Sequence, residues 1–171
     1  SEFNYHAHFL TPKSLVIALS QSGETMDTLI AVKTALSYQA KILALVNTYG
    51  STLFRISNFQ RLMKAGPEKA VASTKAVTAN IAHLLLWAYG LKGQLDKGQK
   101  VLLQAVNSID QLLKPLSLTR IKKLAEKIKN VKHIYVVGRG LSYPASLETA
   151  LKIKEISYIH SEGFAAGELK H

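Results

Sequence analysis

Apolar and polar positions along this chain follow two patterns, which alternate. Short apolar runs are continuous and partly β-branched, as in strands that are buried on both faces of a parallel sheet. Between them, apolar residues recur at intervals of three and four, which places them on one face of a helix. The apolar runs predict strands over residues 14–20, 41–47, 60–64 and 132–138.

The segments between and after these strands are predicted to be helical. Alternation of strands and helices with tight connections favours a parallel α/β sheet that has helices on both faces. Gly66 and Pro67 interrupt this pattern, and Pro115 stops the helix that precedes it. The predicted helices cover residues 25–38, 51–56, 68–89, 95–113, 118–129 and 144–158.

This order of elements predicts three parts along the chain. Residues 1–94 form a first α/β unit, residues 95–130 a helical connector, and residues 131–171 the start of a second α/β unit. The chain begins without methionine close before a strand and stops with no closing helix or strand. Both units are therefore expected to be truncated.

Composition narrows the class of protein. The chain has 171 residues, of which 47% are hydrophobic and 19% charged, as in a globular protein with a real core. It contains no cysteine, so disulfides, thiolate metal sites and cysteine nucleophiles are excluded. No apolar run has the length of a membrane span and no signal peptide opens the chain, so we expect a cytoplasmic protein with no membrane contact.

The formal net charge of +11 raises the possibility of a nucleic-acid partner. Many basic residues lie between Lys92 and Lys132, where apolar residues recur with helical spacing, so the lysines fall on the opposite face. No aromatic residues interleave with them over 120–129. We therefore predict a solvated basic face and no nucleic-acid partner, which steeply salt-dependent binding to duplex DNA would contradict.

The residues after the first predicted strand, 20–25, form a hydroxyl-rich turn just before a helix. We call this segment the anion turn, because the free N–H groups and the dipole of a helix start both favour negative charge. The alternative is an ordinary helix N-cap, with Ser22 or Thr25 as the cap and Glu24 near the helix dipole. The neutral donors suited to a sugar phosphate are Ser20, Gln21, Ser22 and Thr25.

A second candidate group lies on the predicted helix of the second α/β unit. Glu148, Lys152 and Glu155 follow one another at i, i+4 and i+7, so they share one stripe within about 60° around the helix axis. Such a stripe can be a surface ion-pair series of little energetic value. Its apolar flanking residues favour instead a carboxylate whose pKa is tuned for proton transfer by the neighbouring ammonium.

No cofactor is indicated. His6 and His8 form the only close histidine pair, without a third ligand nearby, so no metal site is expected. The Gly138-Arg139-Gly140 loop lacks the spacing of a dinucleotide-binding fingerprint.

Three motifs give the chain a family resemblance. SQSGETMDTL, AGPEKAVASTKAV and LETALKIKEISYIHSEGFAAGELKH resemble the sugar isomerase (SIS) domains of the glutamine–fructose-6-phosphate aminotransferase family, also called glucosamine-6-phosphate synthases. The resemblance implies a three-layer sandwich around a parallel sheet, with two SIS units joined by the connector. It also implies conversion of fructose 6-phosphate and ammonia to glucosamine 6-phosphate in amino-sugar biosynthesis.

The same resemblance implies residue roles. Ser20, Gln21, Ser22 and Thr25 would hold the phosphate, Val71 and Ser73 would line the sugar, and Glu148 would lie near the site. Glu155 would move the proton between two carbons, with Lys152 assisting. His171 would help to open the sugar ring, in the site of a neighbouring subunit, which implies a homodimer. A glutaminase domain would supply ammonia in the full-length enzyme.

Departures from the family pattern leave two other functions open. The glutaminase with its cysteine is absent, and both SIS units lack expected segments, so the chain by itself is expected to be catalytically incomplete. Lys69-Ala70 replaces an expected Ile-Gly pair, which leaves the identity of the substrate open. One alternative is a SIS-family deaminase or deglycase of amino-sugar phosphates. The other is a non-catalytic SIS module that binds a sugar phosphate.

Overall fold

The structure, a computed structural model, describes residues 2–170. The chain divides into two compact units, Ser1–Lys100 and Val101–His171. The helical connector at 95–130 stays a prediction. No helix among the described residues is both long and apolar enough to cross a membrane.

The elements in chain order are α1 (Phe3–His6), a 3-10 helix (Ala7–Phe9), β1 (Leu15–Ser20), α2 (Met26–Ser37), β2 (Lys41–Val46), α3 (Thr52–Ile56), β3 (Phe59–Leu62), α4 (Lys75–Leu91), α5 (Leu95–Leu112), α6 (Pro115–Ile128), β4 (His133–Gly138), α7 (Ser142–Ser157) and β5 (His160–Ala165).

Three parallel strands in the order β1-β2-β3 form the sheet of the first unit. Ser20 lies opposite Val46, and Val46 lies opposite Leu62, so the carboxyl ends of all three strands meet at one edge. Parallel α/β sheets bind ligands at this edge, because the strand-to-helix loops open there. The predicted α/β architecture with a parallel sheet is confirmed.

Apolar side chains pack on both faces of this sheet, which gives the first unit three layers. Leu29 and Val32 of α2 and Leu53 of α3 pack on one face, against Ile42, Ala44 and Val46. On the other face, Ala76 and Trp87 of α4 cluster with Leu45 and Met63. The central strand β2 is buried along most of its length, as its apolar run indicates. The expectation of burial on both faces is wrong for the outer strands, because Leu15 and Ile17 of β1 and Phe59 of β3 are exposed.

Helix α4 begins at Lys75, later than the predicted start at residue 68. The carboxylate of Glu68 accepts a hydrogen bond from the N–H of Ala76 at 3.3 Å, and the Lys75 amine donates to the carbonyl of Pro67. The segment before α4 thus folds back and satisfies an N–H of the first helical turn from outside the helix. The alanine-rich composition of residues 68–74 gave no sign of this arrangement.

Strand β5 was not predicted, and the expectation that no strand follows the last helix is wrong. The segment HSEGFA contains no continuous apolar run and includes Gly163. It forms a strand because its backbone pairs in parallel with β4, with His133 opposite His160 and Gly138 opposite Ala165. Strand pairing with a distant segment overrides weak local propensity here.

Helix α6 begins at Pro115, before the predicted start at residue 118, because proline's fixed φ suits the first helical position. Its apolar residues Leu118, Ile121 and Leu124 are exposed along with its lysines. The lysines are exposed as predicted, and these apolar residues on the same helix are exposed as well.

Candidate functional site

Hydroxyl groups organise the anion turn at the carboxyl end of β1. The buried Ser20 Oγ accepts a hydrogen bond from the N–H of Gly23 at 3.0 Å and lies 3.0 Å from Thr25 Oγ1. Ser22 Oγ accepts a hydrogen bond from the N–H of Glu24 at 3.1 Å. Three of the four predicted phosphate residues therefore belong to one hydrogen-bonded turn.

Helix α2 starts directly after the anion turn, with Thr25 in the N-cap position. Thr25 makes no side-chain hydrogen bond to the helix, and Ser22 bonds within the turn instead. The alternative of a side-chain-capped helix is therefore wrong. The first N–H groups of α2 keep their donor capacity, and the helix dipole adds partial positive charge, which together suit an anion.

Glycine is required at position 23 of the anion turn. Gly23 has a φ of 70°, a conformation that is costly for residues with a Cβ. A Cβ added here would lie 2.0 Å from the Oγ of Ser51, a buried hydroxyl without a hydrogen-bond partner among the described residues. The turn is thus pressed directly against the residue that precedes α3.

The side chain of Glu24, next to the N-cap residue of α2, bonds the start of α3. Its Oε1 accepts a hydrogen bond from the N–H of Thr52, the first residue of α3, at 2.7 Å. This hydrogen bond from Thr52, and to a smaller extent the positive charge of Arg55, lower the pKa of Glu24 from its ordinary value. The carboxylate therefore joins the anion turn to α3.

A cleft of about 560 Å³ opens at the carboxyl edge of the sheet. Gln21, whose carbonyl accepts a hydrogen bond from the N–H of Asn47 at 3.1 Å, is the one predicted site residue among its walls within the described part of the chain. Its other walls come from the loops that follow β2 and β3: Asn47, Thr48, Tyr49, Leu62, Lys64, Gly66, Pro67 and Glu68.

Lys64 lines this cleft and was not singled out by the sequence analysis. It has a φ of 55°, which is uncommon for a residue with a side chain, and such backbone strain tends to occur at functional sites. In the cleft wall it adds a cation to the neutral side chains of Gln21 and Asn47 and the carboxylate of Glu68. No local pattern marks Lys64, which the sequence analysis placed at the end of a strand.

Asn47 shapes this cleft. Its side-chain amide donates to the carbonyl of Gly66 at 2.7 Å, and its side-chain carbonyl accepts from the N–H of Ala65 at 3.1 Å. Replacing Asn47 with Ala should lower the free energy of unfolding by about 1 kcal/mol, because two backbone groups lose their partners. Amide exchange at Ala65 should accelerate. Asn58→Ala is the matched control, since Asn58 bonds the N–H of Ile42 at the far end of β2. An equal acceleration at Ala65 in that control would contradict the assignment.

The two residues predicted to line the sugar lie in the loop between β3 and α4. Val71 is 99% exposed, and Ser73 is half-buried just before the N-cap of α4. Neither belongs to the walls of the cleft described above. Their role stays a prediction.

In the second unit, the predicted stripe forms on α7. Lys152 Nζ lies 2.6 Å from Glu155 Oε2 and 3.5 Å from Glu148 Oε1. The hydrogen bond that Lys152 donates to Glu155 and the charges of both carboxylates raise the pKa of Lys152, although partial burial opposes this. Lys152 is therefore protonated across the neutral range. His171, the third predicted catalytic residue, lies outside the described residues.

Within residues 2–170, no group of three or more His, Cys, Asp or Glu side chains could hold a metal ion. The chemistry available from the described residues is thus anion binding at a helix start, together with a carboxylate–ammonium–carboxylate group on α7.

The parallel sheet with a hydroxyl-rich turn at its carboxyl edge defines an α/β protein, and sequence comparison defines its family. The SIS domain family matches residues 1–89 and 127–171, so the chain belongs to the SIS domain family. The chain resembles the isomerase domains of glutamine–fructose-6-phosphate aminotransferases. It is 45% identical to the enzyme of Corynebacterium glutamicum over 99% of its own length and 43% identical to that of Thermococcus kodakarensis over 100%.

The chain spans 28% and 30% of the lengths of these two relatives. Among solved structures, the C-terminal domain of glucosamine-fructose-6-phosphate aminotransferase from Francisella tularensis is 38% identical, with a TM-score of 0.79. The match covers 92% of this chain and 47% of the Francisella tularensis chain. A glucosamine-6-phosphate deaminase from Thermotoga maritima shares the fold, with a TM-score of 0.77 and 22% identity. This match covers 95% of this chain and 49% of the deaminase chain.

Proposed function

We propose that this chain is part of the isomerase half of a glutamine–fructose-6-phosphate aminotransferase, which forms glucosamine 6-phosphate from fructose 6-phosphate and ammonia. The observation that carries the proposal is the anion turn. It presents neutral hydroxyls and free helix N–H groups at the ligand-binding edge of a parallel sheet. The aminotransferases that the chain resembles support the choice of substrate.

The phosphate of the sugar binds at Ser20, Gln21, Ser22 and Thr25 in this proposal. Many short hydrogen bonds from neutral donors suit a phosphate, and the dipole of α2 supplies the complementary charge. Val71 and Ser73 line the sugar, and the exposure of Val71 leaves it accessible to a ligand.

Proton transfer between C1 and C2 of the sugar is assigned to Glu155. An aldose–ketose shift needs a base that takes a proton from one carbon and returns it to the next. The ammonium of Lys152, 2.6 Å from Glu155, stabilises negative charge on the reacting oxygens, while Glu148 holds Lys152 from the other side. His171 shuttles the ring-opening proton, since imidazole titrates near neutral pH. This reaction requires no metal or organic cofactor.

The proposed enzyme works as a cytoplasmic homodimer in which His171 reaches the site of the neighbouring subunit. A glutaminase domain delivers the ammonia in the full-length enzyme. The chain contributes a first SIS domain over residues 1–94, a helical connector over 95–130 and the start of a second SIS domain over 131–171.

Binding of fructose 6-phosphate to the 171-residue chain tests the phosphate assignment. We expect tighter binding of fructose 6-phosphate than of fructose by calorimetry, and Ser22→Ala should weaken it by roughly three- to tenfold through loss of one hydrogen bond. Ser37→Ala is the matched control at the other end of α2, where the hydroxyl bonds only the carbonyl of Thr34. Equal affinity for fructose and its phosphate, or an effect of Ser37→Ala as large as that of Ser22→Ala, would overturn the assignment.

A further inference from the structure

The anion turn contains a carboxylate, which at first sight opposes its use. In the sequence, Glu24 lies between Ser22 and Thr25, and its negative charge should repel a phosphate bound by their hydroxyls. The side chain is nevertheless directed at the start of α3, where Oε1 accepts the N–H of Thr52 at 2.7 Å. The carboxylate therefore accepts a hydrogen bond from a backbone N–H of the same chain, and this N–H lies outside the anion turn.

Two further contacts join the same pair of segments. The N–H of Leu53 donates to the carbonyl of Gly23 at 3.0 Å, so consecutive N–H groups of α3 bond consecutive residues of the turn. The buried Ser51 packs against Gly23 so closely that no Cβ fits between them. Leu53 is fully buried in the core, so the start of α3 is anchored to the core of the first unit.

The charge state of Glu24 agrees with this geometry. The N–H of Thr52 lowers its pKa, so the carboxylate is ionised throughout the neutral range and its hydrogen bond is charge-assisted. Arg55, one turn further along α3, adds a favourable charge. Its own guanidinium bonds the carbonyl of Gly50 and the hydroxyl of Thr52, which keeps it at the same end of α3.

We propose that Glu24 is a positioning residue for the phosphate site: by bonding the first N–H of α3, it holds the anion turn in the shape that presents its donors to the ligand. This inference rests on the proposed function. The negative charge of Glu24 by itself would weaken phosphate binding, whereas its positioning role strengthens binding. Substitution of Glu24 therefore distinguishes the two effects.

Fructose 6-phosphate affinity of the 171-residue chain, measured by calorimetry, is the first readout. Glu24→Gln removes one negative charge beside the phosphate, and electrostatics alone would strengthen binding. We expect it to weaken binding instead, by roughly two- to tenfold, because the hydrogen bond to Thr52 loses its charge assistance. Asp27→Asn is the matched control. It removes a carboxylate from the first turn of α2, with no bond to α3, and should strengthen binding.

The donor side of the contact can be removed separately. Thr52→Pro deletes the N–H that bonds Glu24, and proline is well tolerated at this first helical position. The preceding residue, Ser51, already has the extended conformation that proline demands, with a φ of −60° and a ψ of 164°. Thr52→Pro should weaken binding as much as Glu24→Gln. Thr52→Ala keeps the N–H and removes only the hydroxyl, which interacts with Glu24 and Arg55, so it should weaken binding less than Thr52→Pro. The double variant should lose little more than either single one.

Amide exchange separates positioning from general destabilisation. In the free protein, Glu24→Gln and Thr52→Pro should accelerate exchange at Gly23 and Glu24 and leave the core strand residues Ile42 and Leu45 as protected as before. Stronger binding by both Glu24→Gln and Asp27→Asn would overturn the inference and leave the proposed function standing. Failure of the unsubstituted chain to bind either fructose 6-phosphate or inorganic phosphate would overturn the proposed function and, with it, the inference.

Discussion

Replacing Glu155 with Gln in the proposed full-length aminotransferase should lower kcat by at least about a hundredfold while fructose 6-phosphate still binds. The two side chains have the same shape, so the contact with Lys152, at 2.6 Å in the structure, can persist. The amide cannot accept and return a proton, which removes the carbon-to-carbon transfer. Steady-state formation of glucosamine 6-phosphate and calorimetric binding of the substrate measure the two effects independently.

Glu126→Gln is the control for this prediction. Glu126 Oε2 also lies 2.6 Å from a lysine, Lys129, three residues away on an exposed helix face. An exposed pair of this kind contributes little to stability, so its loss should leave turnover unchanged. Undiminished turnover in Glu155→Gln would remove Glu155 from the role of the base, and loss of substrate binding would assign it to binding instead.

Replacing Gly23 with Ala should destabilise the first unit by about 3 kcal/mol and abolish phosphate binding. The new methyl group would lie 2.0 Å from Ser51 Oγ and 2.6 Å from Ser51 Cβ, and the residue would keep a φ of 70°. Either the turn or the start of α3 must move, and each movement separates Glu24 from Thr52. Denaturant unfolding and calorimetry with fructose 6-phosphate measure the two losses.

Gly50 provides a matched control for the steric part of that effect. Its φ of 71° is nearly identical, but a Cβ added there would meet nothing within 4 Å. Gly50→Ala should therefore cost only the backbone strain, about 1 kcal/mol, and should leave phosphate binding intact. Similar losses in the two variants would show that collision with Ser51 contributes nothing.

Local patterns predicted most of the regular structure and one side-chain contact of the proposed site. The predicted strand over residues 14–20 corresponds to β1, Leu15–Ser20, and the predicted helix over residues 25–38 to α2, Met26–Ser37. Lys152 and Glu155 meet on α7 as their spacing indicates, because three residues of helix bring side chains to the same face regardless of the rest of the fold.

Other features of the site could not be predicted from the sequence. The sequence places Glu24 next to the helix that follows it, but its partner is Thr52, 28 residues away. The sequence predicts Asn47 at the end of a strand, but its side chain holds the loop at Ala65 and Gly66. These partners depend on which strand ends lie side by side, and a local hydrophobic pattern carries no such information.

By itself, the sequence determined the alternation of strands and helices, the hydroxyl-rich turn before α2 and the stripe on α7, since each depends on residues within about two helical turns. Only the tertiary structure decided that β5 is a strand, that α4 begins at Lys75, and that the anion turn is supported by α3. The physical reason is the same in each case. A backbone or carboxylate group in these segments finds its hydrogen-bond partner in an element brought near by folding, and that partner fixes the conformation.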